Sequence, residues 1–146
     1  PYLETVGPEI TKEKMEAIWK GQAAIQMHSY DMYDKPYAIF DTDLYSTIGY
    51  WEQPHWQGAL GPVPIYLYED AKRLRSDLYI ITKSNIPFER DSIRYGIDKR
   101  ESPDEYWIDL AKREELNYVV LESKSLKDRI FEAEHHIRQI ADKKAS

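Results

Sequence analysis

Two carboxylates, Asp41 and Asp43, stand two residues apart where the apolar run Tyr37-Ala38-Ile39-Phe40 gives way to polar chain. If the chain stays extended there, residues i and i+2 point the same way, so the pair can share a metal or hold a hydroxyl. Three chemistries use such a pair. A phosphoryl-transferring kinase sets acidic residues there to hold Mg²⁺ and orient the accepting hydroxyl. A haloacid-dehalogenase-type phosphatase uses the first aspartate as nucleophile and the second as acid. A nucleotide-sugar glycosyltransferase grips a metal-bound diphosphate. The plainer alternative is that one carboxylate caps a following helix and the other is solvated.

A second group of residues runs from Arg90 to Arg100, with Arg94 and Lys99 between them. Guanidinium forks suit phosphate oxygens, and an arginine-bearing loop that closes over transferred phosphate is a kinase device. Glu89, Asp91, Asp98 and Glu101 nearly cancel its charge, so a solvated, balanced segment stands as the other reading. Third, Tyr45, Tyr50, Trp51 and Trp56 crowd one stretch and could form a slot for a flat or cationic ring, although aromatics more often serve as core. The four histidines offer no zinc site: no HExxH spacing occurs, and His135 and His136, adjacent on a helix, point about 100° apart.

The elements that must position these groups alternate in type. A helix is expected from about Thr11 to Tyr30, with Met15, Ile18, Trp19, Gln22 and Gln26 along one stripe, the apolar face yielding to amides. Pro36 ends any helix, and Tyr37–Phe40 reads as a short buried parallel strand. Residues 44–61 are aromatic and rich in turn formers. A helix follows over 63–75, then a strand over 77–82. Ser102, Pro103 and Glu105 make a helix start, with the helix running to about Glu115. Tyr118–Leu121 is a third strand, and Ser125 with Asp128 opens a last helix whose face carries Ile130, Ala133, Ile137, Ile140 and Ala141. Helices alternating with solid apolar strands give an α/β fold with a parallel sheet covered on both faces. Ligands in such sheets sit at the carboxyl ends of the strands, here at 41–43, 82–85 and 122–123.

Composition narrows the choices. The 146 residues suit one domain, since a second core needs roughly 100 residues more. The absence of cysteine excludes disulfide scaffolds and thiolate metal sites. No apolar run approaches the roughly 20 residues of a membrane helix, and the amino end is no signal peptide. Net charge −6 argues against sequence-blind nucleic-acid binding. None of the six glycines forms GxxxxGK[ST] or GxGxxG.

These residues bear a family likeness. Ala38-Ile39-Phe40-Asp41-Thr42-Asp43, followed by Ser46-Thr47 and Trp51, resembles the Walker-B-like strand of ribosylnicotinamide kinase domains, the carboxyl-terminal domains of NadR-type NAD-salvage proteins. Residues 76–82, then Ile86-Pro87-Phe88 and Asp91-Ser92-Ile93-Arg94, are similar to that family's strand and lid, with Phe88 in place of a Trp and Ser92 in place of a Gly. Asn117–Leu121 through Arg129 resembles its last strand and helix, so the likeness spans nearly the whole chain.

The resemblance implies a P-loop NTPase-like fold that moves the γ-phosphate of ATP to the ribose 5′-hydroxyl of nicotinamide riboside, with Mg²⁺, in the cytoplasm. Asp41 and Asp43 would serve the metal and the ribose hydroxyls, and Arg94 the transferred phosphate. Trp51, Tyr45, Thr47 and Gln22 would face the substrate; Arg90, Asp91 and Arg100 would belong to a lid over about 87–103. Partners would be the nucleoside and ATP, with neither nucleic acid nor membrane, and a homo-oligomer or a complementing amino-terminal segment is allowed. The family opens with a strand and GxxxxGK[ST], and neither occurs in these residues. Residues 1–146 are therefore expected to form a single domain that is incomplete at its amino end and inactive alone.

Overall fold

Thr11 starts the first helix as the sequence leads one to expect: its Oγ1 accepts from the Lys14 amide at 3.3 Å. The computed structural model describes residues 9–32, 34–85 and 104–146. The chain divides into two compact units, Pro1–Arg75 and Ser76–Ser146.

The described part of the first unit is helical. Helix α1 spans Lys12–Met32 and buries Met15, Ala23 and Gln26. Helix α2 (Leu44–Trp51) follows, then α3 (Pro54–Leu60) and α4 (Ile65–Arg73). Leu44, Ile48 and Trp51 lie at i, i+4 and i+7, one side of a helix, and all are buried. Leu67, Ala71 and Leu74 repeat that spacing in and just after α4. Helix α2 packs against α1, α3 and α4, so it is the centre of this core. The turn between α3 and α4 needs Gly61, whose φ of +71° lies in the left-handed region that side chains avoid.

Two expectations fail in this unit. Residues 37–40 are not a strand; 37–39 are exposed, Ile39 to 73%. A parallel strand is stable only when neighbours satisfy its amides and carbonyls, and among the described residues none pairs with this run. Residues 44–61 are two helices rather than turns. Asp43 caps the first, and Pro54 stands at the first position of the second, where its missing amide costs nothing.

The second unit holds a parallel pair. Strands β1 (Tyr79–Thr82) and β2 (Tyr118–Leu121) run in register from Tyr79 opposite Tyr118 to Thr82 opposite Leu121. Helix α5 (Asp104–Arg113) packs on β1, and α6 (Leu126–Ala145) on β2. This βαβα order is the α/β pattern read from the sequence, carried by two strands among the described residues rather than three. The Ser125 cap forms, its Oγ accepting from the Asp128 amide at 3.1 Å. The face of α6 differs from expectation: Ala133, Ile137, Ile140 and Ala141 are half-buried, Ile130 is 52% exposed, and the buried residue is Arg129. No helix among the described residues is long and apolar enough to cross a membrane.

Candidate functional site

Asp43 is placed by backbone demand. It precedes α2 with an extended φ, and its Oδ1 accepts from the amides of Tyr45 (2.9 Å) and Ser46 (3.2 Å). Ser46 Oγ returns the favour to the Asp43 amide at 3.4 Å, completing a capping box. Such a cap is worth about 1 kcal/mol. Asp41, two residues earlier, is exposed while Asp43 is buried. The two carboxylates therefore have separate roles, as the capping alternative required.

The other residues expected at the substrate sort into near and internal. Gln22 Nε2 donates to the Thr42 carbonyl at 2.8 Å, which brings α1 to the 41–43 loop. Thr47 is buried, its hydroxyl 3.4 Å from the Asp43 carbonyl. Tyr45 is buried; its hydroxyl accepts from Arg75 Nη2 at 3.1 Å, and the Arg75 guanidinium lies 5.9 Å from its ring centre. Trp51 is fully buried, with its indole N–H donated to the Gly61 carbonyl at 3.1 Å. It is core. Arg90, Asp91, Arg94 and Arg100, with the lid over 87–103, lie outside the described residues.

One oxygen of Asp43, Oδ1, is engaged by two backbone amides, so any share in holding Mg²⁺ with Asp41 would fall to the other carboxylate oxygen. Among the described residues no group of three or more His, Cys, Asp or Glu could hold a metal ion. An aspartyl nucleophile at Asp41 would lack the strand end that ordinarily presents it, since residues 37–40 form no strand and Asp41 is exposed.

The strand ends of the second unit form a tighter polar cluster. Ser84 donates its amide to both oxygens of Asp104, at 3.2 and 3.0 Å. Asn85 Nδ2 donates to the Glu122 carbonyl at 2.9 Å, linking the loop after β1 to the loop after β2. Lys83 Nζ meets Glu122 Oε1 at 2.7 Å. The hydrogen bond to Glu122, and then its charge, hold Lys83 above its usual range, and Lys83 holds the Glu122 carboxyl below its own. The pair thus persists at neutral pH and is lost as acid protonates Glu122, below the ordinary carboxylate range. Arg129 Nη2 donates to Asn85 Oδ1 and, at 2.9 Å, to the Ser123 carbonyl.

Sequence reasoning placed ligands at these carboxyl ends but assigned no role to Lys83, Asn85, Glu122 or Arg129. The available signal was a cation in the first turn of a helix that packs on a strand, where neither dipole nor burial favours it.

No curated protein and no solved structure matches the chain. A family model described as an AAA domain matches residues 4–129. Nucleotide binding of the P-loop type goes with that match, and the parallel pair with its polar carboxyl ends is compatible with it. With most of its length matched, the chain belongs to the AAA domain family, of the P-loop NTPase type.

Proposed function

We propose that the chain is part of an ATP-using nucleoside kinase of the ribosylnicotinamide type, receiving the nucleotide at the carboxyl ends of β1 and β2. The observation that carries this reading is the polar cluster Lys83, Ser84, Asn85, Glu122 and Ser123, set at the ends of two parallel strands in a P-loop-family chain. The accepting nucleoside, nicotinamide riboside, is proposed from the likeness over 38–51 and 76–94. A complementing amino-terminal segment that brings the phosphate loop is the partner this reading needs.

A second reading is favoured by one observation. Asp43 is engaged in capping α2, which suits a module that binds nucleoside without transferring phosphate. Calorimetry with nicotinamide riboside, in the absence of ATP, tests the substrate in both readings. Saturable heat at one site per chain is expected. Equal and negligible heats for nicotinamide riboside and for uridine, up to millimolar concentration, would remove nicotinamide riboside as the ligand.

A further inference from the structure

Arg129 departs from three local rules. It lies in the first turn of α6, where the partial positive charge of the helix terminus disfavours a cation. Only 9% of it is exposed, and arginines are rarely so buried unless paired with a carboxylate. Its hydrogen bonds go instead to neutral oxygens, the Asn85 side chain and the Ser123 carbonyl. Among the described residues its Nε is buried without a partner, and so is Oε2 of Glu132, three residues along the same helix. The side chain thus forgoes a local ion pair within α6 and reaches back toward the helix start, the direction in which helical side chains lean. It meets two chain segments there. Asn85 lies three residues beyond the end of β1, and Ser123 two beyond the end of β2.

We propose that Arg129 is a positioning residue: it holds the carboxyl-terminal loops of β1 and β2 at the spacing a bound nucleotide requires, acting through Asn85 and Ser123. This rests on the nucleotide reading of the strand ends given above. Arg129 is buried, while Asn85 and Glu122 are exposed. A planar fork can bridge two acceptors at fixed angles, whereas an ammonium on a flexible stem cannot reproduce that geometry. Loops held in this way are preorganised, so ligand binding does not have to order them.

The test is an NMR titration of the ¹⁵N-labelled full chain with MgATP, comparing the wild type with Arg129→Lys, Asn85→Ala and the double variant, and recording thermal melts in parallel. Wild-type shifts are expected at Ser84, Asn85, Glu122 and Ser123. Each single variant is expected to bind about tenfold more weakly, the equivalent of about 1.4 kcal/mol. The double variant should bind no more weakly than Arg129→Lys, because both changes break one bridge. A purely structural role would lower the melting temperature yet leave affinity, measured well below the transition, unchanged. Wild-type affinity in Arg129→Lys, or additive losses in the double variant, would overturn the proposal. Should Arg129→Lys fail to fold, Asn85→Ala, a change at an exposed residue, decides alone: undiminished affinity overturns the proposal. Absence of ATP-dependent shifts in the wild type would overturn the nucleotide reading itself, and this role with it.

Discussion

Trp51→Ala is expected to destabilise the first unit by about 3–5 kcal/mol, the range for removing a large aromatic from a packed core. Three features put it near the top of that range. The side chain is fully buried in α2, the helix that packs against α1, α3 and α4. Its indole N–H is the donor to the Gly61 carbonyl, so truncation also leaves that acceptor without its partner. Gly61 in turn sits at a positive-φ turn leading to α4, so the lost bond loosens the connection between α3 and α4. Urea unfolding followed by circular dichroism measures the effect. Trp51→Phe separates core from ligand stacking: it keeps most of the apolar area and loses the hydrogen bond, for a smaller loss of about 1–2 kcal/mol. If Trp51 stacked a nicotinamide ring instead, Trp51→Ala would melt like the wild type and lose riboside binding.

Phosphotransfer by the 146 residues alone is expected to run at least a thousandfold below the roughly 1–100 s⁻¹ of kinases. Electrostatics sets this limit. Transfer of the γ-phosphoryl group relies on positioning and on charge neutralisation, and in P-loop enzymes the amides and lysine of GxxxxGK[ST] supply most of both. No such string occurs in these residues. Carboxylates cannot replace those donors, because they carry the same sign of charge as the phosphate; Asp43 Oδ1 already accepts from the amides of Tyr45 and Ser46, and Asp41 is exposed. A coupled ADP-release assay with MgATP and nicotinamide riboside reads the rate. Ordinary turnover would mean that phosphate is cradled by groups other than the phosphate loop.

Local rules made the second unit legible. Tyr118–Leu121 stood out as a solid apolar run, and Ser125 followed by Asp128 marked the start of α6 to the residue. Parallel pairing followed from the alternation of element types. The first unit was less legible, for definite reasons. Tyr37–Phe40 has strand composition, but a strand exists only with a partner, and composition carries no information about one. In 44–61 the glycines and prolines masked a helix whose start depends on reciprocal bonds between Asp43 and Ser46. The i, i+4, i+7 spacing of Leu44, Ile48 and Trp51 was present but crowded by other aromatics. At the candidate site, chain alternation located the strand ends, whereas the bridge from Arg129 to Asn85 spans 44 residues and lies beyond any local pattern.

The proposed function depends on nucleotide binding at the carboxyl ends of β1 and β2. Photolabelling the full chain with an azido-adenine analogue of ATP, followed by peptide mapping, tests that most directly. Label is expected in peptides spanning 83–85 or 122–125, displaced by unlabelled ATP. Label that ATP does not displace, or label confined to 37–52, would contradict it.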